Sequence, residues 1–229
     1  MPMFFAPFVF LYWIIFFVAI AFLVGMFEVG VISYAFRSLG VPPQDAFILL
    51  FASLLGSFVN IPVTRIKRNV PAHPEQTVRS FGVRYRVPAH LESHGSTVVA
   101  VNVGGAVVPV SLSAWLLFGH PALLFPAAIG TAIVTFVVHR FARPVPGLGI
   151  ATPMFIPPIV AAIVGILLGA SAHHADAIAY TSGVLGTLIG ADLLNIGKIS
   201  ELGAPVASIG GAGTFDGVFL TGIVAVLLA

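Results

Sequence analysis

Residues 153–171 read PMFIPPIVAAIVGILLGAS, a run with no charged side chain. About 20 apolar residues is the length at which a helix spans the hydrocarbon of a bilayer. In that solvent every backbone amide must bond within its own segment, which favours helices over open strands. Working outward, comparable apolar segments occupy residues 4–26, 44–62, 97–118, 121–139, 177–196 and 214–229. The sequence therefore predicts an all-α polytopic membrane bundle of about seven transmembrane helices, forming one integral membrane domain over residues 1–229. Ala19-Ile20-Ala21 has the small-residue spacing of a signal-peptidase site, but no basic segment precedes it, so the first apolar run is read as a helix that extends past Glu28 towards Tyr34.

Composition agrees. Only 8% of the 229 residues are charged and 59% are hydrophobic, and the mean hydropathy is +1.08. A soluble domain is usually near a quarter charged. With no cysteine, thiolate metal sites, disulfides and cysteine catalysis are excluded. The net charge of +2 does not point to nucleic acid, because six of the ten basic residues fall in one loop.

Those cations set the orientation. Arg65, Lys67, Arg68, Arg79, Arg84 and Arg86 lie in the basic loop 65–96, Arg140 and Arg143 follow the fourth segment, and Lys198 follows the sixth. Placing the N-terminus in the cytoplasm puts nine of ten basic residues inside, leaving Arg37 outside, and puts the C-terminus outside. The cell membrane is the expected location. Within this frame the 65–96 loop is read as a topology signal at an anionic leaflet.

The segment at 153–171 also has a counterpart. Its PMFIPPIV matches PMFFAPFV at residues 2–9 in five of eight positions. Leu54-Leu55-Gly56-Ser57-Phe58-Val59-Asn60-Ile61 similarly resembles Leu188-Ile189-Gly190-Ala191-Asp192-Leu193-Leu194-Asn195-Ile196, and Asn102-Val103-Gly104-Gly105-Ala106 resembles Ser208-Ile209-Gly210-Gly211-Ala212. The three matches are collinear. They predict a duplication of three helices about a linker helix, with repeat one over about 2–118, the linker over about 121–139 and repeat two over about 153–229. The halves would be parallel, as in transporters whose repeats are related by an axis along the membrane normal.

Polar residues inside the spans gather at one end. Asn60, Asn102, Asp192, Asn195 and Asp216 all fall towards the cytoplasmic side, and an ionisable group in a span normally faces the bundle interior or water and marks a site. Asp45, at the outer edge of the second segment, reads as a helix N-cap. Gly190 and Gly213 frame the two inner acids and permit close backbone approach. His173-His174 with Asp176 reads as a solvated turn rather than a metal site, and His139-Arg140 as side chains snorkelling to the interface. No phosphate-binding or nucleophile-elbow motif is present, and neither metal nor cofactor is expected.

The run Gly190-Ala191-Asp192-Leu193-Leu194-Asn195, the stretch from Gly203-Ala204-Pro205 to Gly213-Thr214-Phe215-Asp216-Gly217-Val218-Phe219-Leu220-Thr221-Gly222, and Asn102-Val103-Gly104-Gly105-Ala106 together resemble an uncharacterised prokaryotic family of membrane proteins, domain of unknown function 1614. The resemblance covers nearly the whole chain and implies a bacterial or archaeal source. It implies no activity.

Three functions fit these residues. The first is a carrier or channel-like protein, with Asn60, Asn102 and Asn195 binding a small polar solute or ion and Asp192 or Asp216 carrying a proton or cation. The second is an intramembrane aspartyl protease acting on a membrane peptide, with Asp192 and Asp216 as the catalytic pair. Gly213-Thr214-Phe215-Asp216 departs from the Gly-x-Gly-Asp signature of presenilin-like enzymes at Phe215. The third is a non-catalytic assembly or lipid-interacting protein, in which the acids are structural. The bilayer is the expected partner in all three, and the sequence leaves the oligomeric state open.

Overall fold

The computed structural model describes residues 7–70, 76–80, 83–87, 93–145, 149–169, 174–201, 205–211 and 215–229. Helix α1, Pro7–Ser38, runs through Glu28 and Tyr34 as the sequence suggests, and α2, Pro43–Gly56, follows after a sharp turn. Strands β1 (Asn60–Val70), β2 (Gln76–Ser80), β3 (Val83–Val87) and β4 (Ser93–Asn102) come next. A π-helical turn at Val103–Val107 leads into α3, Val108–Gly119, and then α4, Leu124–Phe141. The short strands β5 (Arg143–Val145) and β6 (Gly149–Ala151) precede α5, Ile156–Gly169. Helix α6, Ala175–Thr187, ends in a π-helical turn at Leu188–Asp192 and a 3₁₀ segment at Leu193–Glu201. Strand β7 (Val206–Ile209) and α7 (Phe215–Leu228) close the chain.

The protein is mostly helical, but it is not all-α. Strands β1, β4 and β7 form one sheet in that order, with β1 antiparallel and β7 parallel to β4. Two of the seven apolar segments therefore contain strand. The segment 44–62 leaves the helix at Gly56 and enters β1 at Asn60, and the segment 97–118 begins inside β4. The basic loop 65–96 contains the ends of β1 and β4 and the β2–β3 hairpin. The reason is local. Thr97-Val98-Val99-Ala100-Val101 is rich in β-branched residues, which pack well on a pleated surface. A short apolar run of this kind has no period that separates strand from helix.

Among the described residues, Pro121–Phe141 and Ala175–Lys198 are long and apolar enough to cross a membrane, and Val29–Ser38 with Pro43–Gly56 forms a third candidate bent by 120°. Val103–Gly119, Ile156–Gly169 and Gly217–Leu228 are shorter apolar helices. Asp45 lies in the first turn of α2 rather than at its cap, which Pro42 occupies, so its charge is placed to interact with the helix dipole.

Helix α6 is the centre of the bundle. It packs against α3, α4, α5 and α7, and Ile178, Tyr180 and Val184 are wholly or almost wholly buried. In hydrocarbon the drive to bring helices together is packing rather than water exclusion, so small residues at the contacts matter. Ala161, Ala177, Ala179 and Ala225 supply such contacts. The apolar residues that remain exposed, including Phe125 and Phe136 on α4 and Leu167 on α5, lie on the outer helices. An apolar surface of this extent fits association with a membrane.

Candidate functional site

Asn102 is the last residue of β4, and its side chain holds the change from strand to helix. Its Oδ1 accepts from the Gly105 amide at 2.8 Å, capping the π-helical turn. Its Nδ2 donates to the Ser57 carbonyl at 2.7 Å and to Asn60 Oδ1 at 3.1 Å. Asn60 is the cross-strand partner of Asn102, and Ser208 Oγ, from β7, donates to the same Asn60 Oδ1. Three strands thus meet in one polar knot where the sheet abuts the helices.

Two residues beyond Ser208 the chain turns at Gly210 with φ +70°, a conformation that glycine adopts without strain. The Gly210 amide donates to Asp192 Oδ2 at 2.8 Å. Asp192 ends the π-helical turn of α6 and is 5% exposed. Its carboxylate therefore holds the turn before α7, rather than capping its own helix. Gly210 also lies against Ala106 and Gly105. The two π-helical turns, one before α3 and one after α6, consequently flank a single glycine.

The layer continues through Asn195, which is fully buried. Its Nδ2 donates to the Ala191 carbonyl at 2.9 Å and the Gly190 carbonyl at 3.2 Å, satisfying acceptors left open where the helix passes from π to 3₁₀. Lys198 Nζ donates to Asn195 Oδ1 at 2.9 Å. His139 Nδ1 lies 3.4 Å from Asn195 Nδ2 and 3.3 Å from the Gly190 carbonyl oxygen, so this ring turns into the bundle instead of snorkelling outward.

Four expected site residues, Asn60, Asn102, Asp192 and Asn195, are therefore linked in one layer running from exposed Asn60 to buried Asn195. Gly190 has a packing role, since a Cβ there would sit 2.6 Å from the Thr135 carbonyl oxygen of α4. Gly213 and the side chain of Asp216 lie outside the described residues, and with them the separation of the two carboxylates. Ser57, Ser208, His139 and Lys198 join the layer without having been singled out. The match between Asn102-Val103-Gly104-Gly105 and Ser208-Ile209-Gly210-Gly211 is the one signal that pointed at Ser208.

Away from this layer, the ring of His174 lies against that of His120, with centroids 4.6 Å apart, and Asp176 stands in the first turn of α6. Among the described residues no group of three His, Asp or Glu is arranged to hold a metal.

The family described as "Protein of unknown function (DUF1614)" matches residues 54–228. No curated protein and no solved structure matches the chain.

Proposed function

The chain belongs to the DUF1614 family of proteins of unknown function, and we propose that it is a carrier or channel-like membrane protein whose polar layer handles a small polar solute or ion. The observation that carries this reading is the meeting of two π-helical turns, one opening the helix Val103–Gly119 and one late in the helix Ala175–Lys198, at a buried carboxylate. The π-helical turns Val103–Val107 and Leu188–Asp192 flank Gly210, and Asp192 stands at their junction. Single π turns inside helices recur at functional sites, and an ionisable group within a span normally faces the bundle interior and marks a site. In this reading Asp192 carries a proton or cation, Asn60, Asn102 and Asn195 contribute amide groups, and Asp216 is a second acid near the start of α7.

The wider organisation belongs to the same reading. Seven crossings arise when the shorter helices span with local thinning of the bilayer. The 3+1+3 duplication is supported by α3 and α7, each of which follows a strand and a Gly-Gly pair, with those strands neighbouring and parallel. The location is a prokaryotic cell membrane with the N-terminus inside and the C-terminus outside.

The test is ion flux in proteoliposomes. Purified protein is reconstituted with an internal pH-sensitive dye, and a potassium diffusion potential is imposed with valinomycin. Proton entry above protein-free vesicles is expected, reduced at least tenfold by Asp192→Asn. Wild-type vesicles indistinguishable from empty ones under both proton and sodium gradients would remove the carrier reading.

A further inference from the structure

We infer that a groove on the flank of α4 and α6 is a binding site for one anionic glycerophospholipid, with an acyl chain along the groove and the phosphate at its His139 end. This site borders the polar layer at His139 and goes beyond the carrier reading. The groove has a volume of about 630 Å³ and is walled by α3, α4 and α6. Leu124, Ala128, Thr131, Thr135 and His139 line it from α4. Their spacing of three or four residues makes them a single stripe along the helix.

The dimensions suit a lipid. From His139 to Leu124 the stripe runs about 22 Å at the helical rise, and one leaflet of hydrocarbon is about 15 Å deep. The groove therefore accommodates a whole chain together with the region beneath the headgroup. Its wall is apolar apart from a few groups, and two of these are unusual. Thr135 Oγ1 and Thr181 Oγ1 are buried with no hydrogen-bond partner, and both residues line the groove. A buried hydroxyl without a partner needs an acceptor. Thr135 lies one turn, about 6 Å, deeper than His139, which is where the ester carbonyls sit beneath a lipid phosphate.

Charge selects the headgroup. His139 closes the groove, Asn195 reaches its ring, and Lys198 is held against Asn195 at 2.9 Å. Arg140 is the next residue along α4 and is exposed. Basic residues between helices at the edge of the hydrocarbon recognise acidic headgroups.

The experiment uses full-length protein, delipidated in detergent and titrated by native mass spectrometry with phosphatidylglycerol and with phosphatidylcholine carrying the same chains. One phosphatidylglycerol is expected per protein, bound at least tenfold more tightly than phosphatidylcholine. Ala128→Phe fills the groove from an exposed position and should weaken both lipids about tenfold, whereas Lys198→Gln should remove the preference for phosphatidylglycerol alone. Thr135→Val should weaken both lipids a few-fold. Melting temperatures measured without lipid show whether each variant is folded. Equal binding of the two lipids by the wild type, or lipid binding unchanged in folded Ala128→Phe, would overturn the inference. Displacement of the lipid by glycerol 3-phosphate at matching concentration would also overturn it, since the groove would then contribute nothing. So would an oxidative cross-link between two copies of Ala128→Cys, which would give the groove to a second chain.

Discussion

At the scale of single residues, Asp192 has a structural duty. Its Oδ2 is the acceptor for the Gly210 amide, and a buried donor deprived of its partner costs about 1–3 kcal/mol. Asp192→Asn retains an acceptor oxygen, while Asp192→Ala does not. In detergent, thermal unfolding should therefore leave Asn close to wild type and lower the Ala variant by several degrees. Equal melting of all three would show that the bond contributes nothing. Gly210→Ala is predicted to be more damaging. It forces a side chain into positive φ, at about 1–2 kcal/mol, and places a Cβ 2.7 Å from that of Ala106. Gly217→Ala meets nothing within 4 Å in α7 and should melt at or slightly above the wild-type temperature. The asparagines and Asp192 were legible because a polar side chain in an apolar run has no cheap explanation. Ser208 was marked only by its place in the repeat match, and His139 and Lys198 were not legible as part of the layer, since cations beside a span are ordinary there. Only the fold shows that they turn towards Asn60 and Asn195.

Among the elements, the helices around the buried centre were readable from apolar length, and the sheet was not. Asn60-Ile61-Pro62-Val63-Thr64-Arg65-Ile66-Lys67 mixes apolar and basic positions, and a shift in register between Pro62 and Thr64 breaks the alternation that would have revealed a strand. Parallel pairing of β4 with β7 joins residues more than 100 positions apart, and nothing local in either strand encodes it. The β1–β4 pairing makes a direct prediction. Lys67 is opposite Ser96, and facing residues in antiparallel strands lie about 4.5–5.5 Å apart between Cα atoms, within the range that a disulfide bridges. Because the native chain has no cysteine, the double variant Lys67→Cys, Ser96→Cys should form an intramolecular disulfide on mild oxidation, detected by mass after proteolysis. The offset pair Arg65→Cys, Ser96→Cys should form it far more slowly. Equal rates would show that this register is not the one adopted.

For the molecule as a whole, the asymmetry of basic residues yields a prediction about sidedness. Single cysteines at Ser80 and Ser171 should behave oppositely towards an impermeant thiol reagent applied to intact cells. Ser171→Cys should be labelled and Ser80→Cys should react only after the membrane is opened. The reverse pattern would invert the topology. The order of the central sheet has a consequence for biosynthesis as well. The pairing of β1 with β4 is complete once residue 102 has left the ribosome, but the other edge of β4 waits for β7, about 100 residues later. At about 5–20 residues per second this interval lasts roughly 5–20 s. During it an unpaired strand edge stands open beside the nascent bundle, a template on which a neighbouring chain can pair. Translation speed across α4 to α6 therefore sets how long each new molecule is exposed to mispairing before its own last strand arrives.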